Sequence, residues 1–202
     1  MTLQATLFPD IDTQTASLMP EGFRYQQELI SVEEEMLLAS QIAALPLTPY
    51  EFRGFLANRN VFAFGFRYDY KMRSLIKAPD IPPFLQKIRE KIAAFANREP
   101  EDFRQVLVTE YKSGTALAWH RDRLQYDEIV GISLLSPANF RLRRRQEDGW
   151  LRASQIIAPR SAYIMAGEVR MLWEHSIPAV EAPRYSLTFR TMAGNFVSPA
   201  VK

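Results

Sequence analysis

The chain has 202 residues, 47% of them hydrophobic, which is enough for one domain built around one sizeable core. A formal net charge of +2 is too small to mark the whole chain as a nucleic-acid binder, so any basic surface has to be local. The absence of cysteine excludes disulfides, iron–sulfur clusters and thiolate zinc sites. The N-terminus lacks a basic start followed by a long apolar run, and no stretch reaches the roughly 18–20 apolar residues of a membrane span, so a cytoplasmic protein with no membrane association is expected.

Residues 1–22 are mixed and turn-rich and read as an N-terminal arm. Ser31 followed three residues later by Glu34 is a capping-box pattern, and Met36, Leu37, Ala39, Ile42, Ala43 and Leu45 recur at helical spacing, which predicts a helix over 32–45. Pro46 and Pro49 end it. The stretch 46–78 is aromatic and basic, and within it Phe62, Phe64, Phe66 and Tyr68 alternate as in one strand. Pro82 and Pro83 open a second helix, 83–97, with Phe84, Ile88, Ile92 and Phe95 on one face. After Pro100 the pattern changes to short strands, predicted at 104–111, 117–122, 128–135, 139–146, 150–157, 161–166 and 184–192, with a hairpin turn at Asp148-Gly149. Helices followed by many antiparallel strands predict an α+β protein, with a double-sheet jelly roll over 100–195 supported by the two helices. A single domain over 1–202, acting as a monomer, is expected.

The sequence holds two histidines, His120 and His175. In an extended segment His120 and Asp122 project from the same face, as two adjacent ligands would. Iron(II) in oxygenases is commonly held by two histidines and one carboxylate, and His175 is the one residue that can complete that set. Taken singly, each histidine has a plain alternative: a surface residue beside an ion pair for His120, a hydrogen-bonded core residue for His175. The strand Arg184-Tyr185-Ser186-Leu187-Thr188-Phe189-Arg190 divides by period two into an apolar face and a polar face. The polar face is either solvated or the lining of a barrel that receives an anion. Iron(II), one ionised Asp and two neutral His sum to +1; a dicarboxylate brings −2, and one arginine, whose fork suits a carboxylate, makes the assembly neutral. The sequence shows no G-x-S-x-G, P-loop or dinucleotide fingerprint.

His120-x-Asp122, His175, Arg184-x5-Arg190 and the Tyr111-Lys112-Ser113-Gly114 segment ahead of His120 together resemble the signature of the AlkB family of Fe(II)/2-oxoglutarate-dependent dioxygenases over about residues 100–192. The resemblance implies Fe(II) on His120, Asp122 and His175, with 2-oxoglutarate as co-substrate and O2 as oxidant. It assigns the distal carboxylate of 2-oxoglutarate to Arg184, helped by Tyr111 and Ser186, and gives Arg190 a role in positioning the co-substrate or the ligand shell. Thr109 stands where the family usually has asparagine; its hydroxyl remains available to the co-substrate. The implied reaction splits 2-oxoglutarate into succinate and carbon dioxide and hydroxylates a substrate C–H bond. An N-methyl group so hydroxylated leaves as formaldehyde, which is demethylation of the kind used in DNA repair.

By the same resemblance 46–78 takes the place of a nucleotide-recognition lid, with Phe52, Arg53, Arg59, Asn60, Phe64 and Tyr68 as candidates for stacking a base or meeting phosphates of DNA or RNA. Alternating Phe62, Phe64 and Phe66 more often mark a core strand than a stacking platform. Arg141, Arg143 and Arg145 share one strand face and form a second basic stripe, suited to phosphates or to a solvated edge strand. Nucleobase-repairing relatives often carry an acidic residue two positions after the metal-binding aspartate. Here that residue is Leu124, which cannot accept a hydrogen bond from an exocyclic amine. The same oxygenase chemistry on a protein or small molecule is therefore the alternative, and a non-enzymatic nucleic-acid-binding module is a third reading.

Overall fold

The computed structural model describes residues 19–52 and 55–194. In chain order the elements are β1 (Phe23–Gln26), α1 (Val32–Ala43), β2 (Thr48–Phe52), β3 (Phe55–Phe64), β4 (Phe66–Asp69), β5 (Ser74–Lys77), α2 (Pro83–Ala96), a 3-10 turn (Pro100–Asp102), β6 (Phe103–Tyr111), β7 (Leu117–His120), β8 (Tyr126–Leu134), β9 (Ala138–Gln146), β10 (Gly149–Ile157), β11 (Ala162–Met165), α3 (Gly167–Leu172), β12 (Glu174–Ile177) and β13 (Arg184–Met192). A seven-stranded sheet runs in the order β1-β11-β8-β13-β6-β3-β2, and a four-stranded sheet in the order β10-β9-β12-β7. The pairings within them are antiparallel, and β4 and β5 form a separate hairpin.

The expected capping box closes the start of α1: the Ser31 side chain accepts from the Glu34 backbone, and the Glu34 carboxylate accepts from the Ser31 backbone. α2 opens on Pro83 and stops at Asn97, which takes a left-handed conformation at φ 57°. Leu38 and Ile42 of α1 and Leu85, Ile88 and Ile92 of α2 pack on Val106, Val108, Val130, Ile132, Leu187 and Phe189 of the large sheet. The opposite face of that sheet, carrying Tyr111, Ile129, Tyr163 and Met165, meets Phe140, Leu142, Ala153 and Ile177 of the small sheet. The result is a jelly roll with helices laid against one outer face, the α+β architecture expected from the pattern of elements.

Period two in β13 acquires its meaning from this layering. Leu187 and Phe189 face the helices, and Arg184, Ser186, Thr188 and Arg190 are buried on the other side, between the two sheets. The polar face is therefore an interior lining rather than a solvated exterior.

Two expectations need correction. The single strand predicted through Phe62–Tyr68 is broken at Gly65, where φ is +76° and an added Cβ would lie 2.0 Å from the Arg104 carbonyl oxygen. β3 belongs to the large sheet, whereas β4 pairs with β5 alone. The strand predicted over 117–122 ends at His120, so Asp122 stands on the following loop. β1, β2, β5, α3 and β12 were not foreseen; they have four, five, four, six and four residues, too short for a periodic signal. Of the N-terminal arm, 1–18 lies outside the described residues, as does Arg53. Among the described residues no helix is long and apolar enough to cross a membrane.

Candidate metal centre and co-substrate pocket

β12 pairs with β7 so that His175 stands opposite His120, and their ring centroids are 4.2 Å apart. Asp122 follows on the loop, and one ligand atom from each of the three residues lies within 4.8 Å of the others. The His120 Nδ1 is 2.9 Å from the Ala118 carbonyl oxygen. A carbonyl can only accept, so the proton sits on Nδ1 and the Nε2 lone pair is left on the side of Asp122, 3.5 Å from Oδ1. His175 is buried with its ring stacked on Phe140 at 5.2 Å. Burial, with His120 beside it, pushes the His175 imidazole down to about 3, so it is neutral and its lone pair is available. Burial opposes the charge on Asp122, but the positive charge of Arg190 outweighs it and holds the carboxyl well below the usual range. Arg190 does this through its Nε, which donates to Asp122 Oδ2 at 3.0 Å, while its Nη1 donates to Gln105 Oε1 at 2.8 Å. Two imidazoles and one carboxylate are a donor set that fits a first-row divalent ion such as iron(II).

Across β13 and its neighbours the register sets Arg184 opposite Tyr111, and Ser186 between Thr109 and Ser133. Arg184 is 1% exposed. Its Nε donates to Ser133 Oγ at 2.9 Å and its guanidinium lies 5.1 Å from the Tyr111 ring centroid, yet Nη1 and Nη2 have no hydrogen-bond partner among the described residues. An isolated buried guanidinium with two unbonded donors is expensive unless an anion meets it. A carboxylate of 2-oxoglutarate fits that demand in charge and in fork geometry. Tyr163 shares this interior; an added Cβ at Gly131 would lie 2.2 Å from its ring, so glycine is what lets the ring cross β8.

The lid candidates separate. Arg59 lies over Tyr50 at 4.3 Å, and the Tyr50 and Tyr70 hydroxyls are 2.6 Å apart. Arg123, one residue after Asp122, sits 3.4 Å from the Tyr68 ring centroid and 4.8 Å from that of Tyr70. Asn60 is tied to Glu110 at 2.7 Å. Phe64 is a correction: it is 5% exposed and packs against Phe62, Phe84 and the helix-side core, so it is no stacking platform. β2 ends at Phe52, and nothing follows about its side chain. Arg141, Arg143 and Arg145 lie on the outer face of the small sheet, since their neighbours Phe140 and Leu142 point inward with His175. They therefore project from the face of the small sheet opposite to that of His175. Sequence reasoning missed Ser133, Gln105, Tyr163 and Arg123. The first three sit on strands that read as ordinary core, and only register places them in the site. Arg170 was missed too; its guanidinium donates to the Arg123 and Tyr126 carbonyls and ties down the loop that carries Asp122.

The model for the 2OG-Fe(II) oxygenase superfamily matches residues 48–190, and the chain belongs to that superfamily. It is accordingly a dioxygenase domain whose cofactor is Fe(II) and whose co-substrates are 2-oxoglutarate and O2, and within the superfamily it is of AlkB type. The chain is 28% identical to the Arabidopsis thaliana alkylated DNA repair protein ALKBH8 homolog over 147 residues, covering 61% of this chain and 42% of that protein. It is 27% identical to the Mus musculus tRNA (carboxymethyluridine(34)-5-O)-methyltransferase ALKBH8 over 169 residues, covering 79% of this chain and 24% of that protein. The chain thus spans less than half the length of these relatives. The fold matches the solved structure of OsALKBH1 with a TM-score of 0.65 at 18% identity, covering 84% of this chain and 96% of that one.

Proposed function

We propose that the chain oxidatively removes N-alkyl groups from nucleobases in RNA or DNA. The observation that carries this reading is the stack of Arg123 against Tyr68 and Tyr70, which seats a cationic and aromatic surface on the loop that bears Asp122. Aromatic faces and guanidinium planes are what unstacked bases lie against. Relatives named an alkylated DNA repair protein homolog and a tRNA methyltransferase support nucleic acid as the substrate class.

His120, Asp122 and His175 would hold the iron, and Arg184, with Tyr111, Ser133, Ser186 and Thr109 around it, the distal carboxylate of the co-substrate. Together these groups supply oxidation of an unactivated C–H bond when bound. Arg190 keeps Asp122 ionised and aimed, and the His120 contact to Ala118 fixes the imidazole tautomer. Leu124, 71% exposed beside Asp122, offers an apolar contact and no acceptor, which favours substrates not read through an exocyclic amine.

The test is succinate and formaldehyde release with Fe(II), 2-oxoglutarate and ascorbate on a panel of N-methylated RNA and DNA oligonucleotides, with methylated peptides alongside. Formaldehyde is expected from an oligonucleotide and should be abolished by His120→Ala. Turnover of peptides alone would move the assignment to a protein substrate.

A further inference from the structure

The outer face of the small sheet concentrates positive charge to a degree the chain as a whole does not. Arg141, Arg143 and Arg145 of β9 share it with Arg152 of β10, which stands directly opposite Arg143, and with Arg121. Glu174 is the one carboxylate among these five arginines, and Arg144 at the same pocket is paired with Glu168 at 3.0 Å, so the cluster carries a net of +4 on a protein whose total is +2. Glu147 and Asp148 lie in the β9–β10 turn rather than on the strands.

The guanidinium groups are held, not splayed. Arg143 lies 4.3 Å from the Trp119 ring centroid and 4.2 Å from that of Trp150, and its Nε donates to Glu174 at 2.7 Å. Arg141 also lies over Trp119, at 5.0 Å, and donates to Ser176, and Arg145 lies over Trp150 at 5.5 Å. A pocket of about 240 Å³ opens between Arg121, Arg143, Arg145, Trp150 and Glu174. Charge on an edge strand guards against sheet-to-sheet pairing, and that accounts for Arg152 on β10. It does not account for β9, which lies between β10 and β12. Like charges directly opposite, as Arg143 and Arg152 are, destabilise a sheet unless something neutralises them.

We infer that this face is a second polynucleotide-binding surface that grips the phosphate backbone on the side of the small sheet turned away from the metal residues. Tryptophan-braced arginines are preorganised for phosphate oxygens, and the spacing of a strand face presents them in a row. The inference rests on a nucleic-acid substrate and adds a requirement to it: the substrate must be long or folded enough to reach from the metal centre around to the outer face.

The experiment compares Arg145→Gln/Arg152→Gln with the unaltered protein. Both side chains are exposed, so the fold should be retained, which circular dichroism checks. Anisotropy titrations use a folded RNA of about 70 nucleotides and a single strand of about 6 nucleotides, across a salt series. Each lost phosphate contact lowers the log–log salt slope by about 0.7 to 0.9, so the slope for the folded RNA should fall by about 1.4 to 1.8, with affinity down on the order of tenfold. Affinity for the short strand should not change. Unchanged slope and affinity for the folded RNA overturn the inference, and so does an equal loss for both lengths, which would place the two arginines at the mouth. If the folded RNA binds as described but no alkylated base is turned over, the surface stands and the substrate reading falls.

Discussion

Arg184 concentrates the chemistry of the interior in one side chain. Its Nε is bonded, and its two terminal nitrogens are not. Arg184→Lys keeps the charge and loses the fork. The half-saturation concentration for 2-oxoglutarate in succinate release should rise at least about tenfold, the value of one charge-assisted hydrogen bond of roughly 1.5 kcal/mol. An unchanged value would transfer the role to Arg190. Gly131→Ala should cost about 1–3 kcal/mol in urea unfolding, because Tyr163 has to leave its place across β8. The residues that bear unusual chemistry were legible in the sequence: His120-x-Asp122, the second histidine and the paired arginines stand out by type and spacing. Ser133, Gln105 and Gly131 do not, because a serine, a glutamine or a glycine in an apolar strand has no signature until pairing brings it beside Arg184, Arg190 or Tyr163.

Long periodic elements were legible for the same physical reason that short ones were not. α1 and α2 were visible because three or more turns repeat an apolar face. β12, with four residues, carries His175 and leaves no pattern to read. The stretch after Pro46 misleads because alternating phenylalanines describe both a stacking surface and a core strand, and packing on α2 decides for the core at Phe64. Phe64→Ala should therefore cost about 3–5 kcal/mol of stability in chemical denaturation. Tyr68→Ala, by contrast, should leave stability nearly unchanged and raise KM for an alkylated oligonucleotide. Glu34 links elements: it caps α1 and pairs with Lys91 of α2 at 2.6 Å. The Lys91 hydrogen bond and the Ser31 backbone hold its carboxyl down at about 2, below the ordinary 4.5. A depressed folded-state value means that its contribution is complete above about 4.5 and fades as pH falls toward 2. Glu34→Gln should lower stability at pH 7 by about 1 kcal/mol and leave it unchanged near pH 2, measured by urea unfolding at both values.

At the scale of the whole molecule, the two-sheet core is built around a cation that the protein's own described side chains do not neutralise. Arg184 is buried between the sheets, and no ion pair to it exists among the described residues. Removing a charge from water costs several kcal/mol when no counter-charge is supplied. Without co-substrate the fold bears that cost; with a dicarboxylate in place the cost becomes an attraction. Ligand binding and folding are thereby coupled more tightly than site geometry alone requires. Saturating 2-oxoglutarate with manganese(II), which prevents turnover, should raise the melting temperature. At a ligand concentration of about 100 times Kd the gain is roughly 2.7 kcal/mol, or about 5–10 °C for a chain of this size. Arg184→Met separates the two contributions. It exchanges an unpaired buried charge for an apolar side chain, so the protein without ligand should melt at the same temperature or higher. It should also lose most of the shift that 2-oxoglutarate produces. A variant that melts lower without ligand and still gains the full shift would mean that the dicarboxylate is met elsewhere and that Arg184 is bonded in solution by a group outside the pocket described.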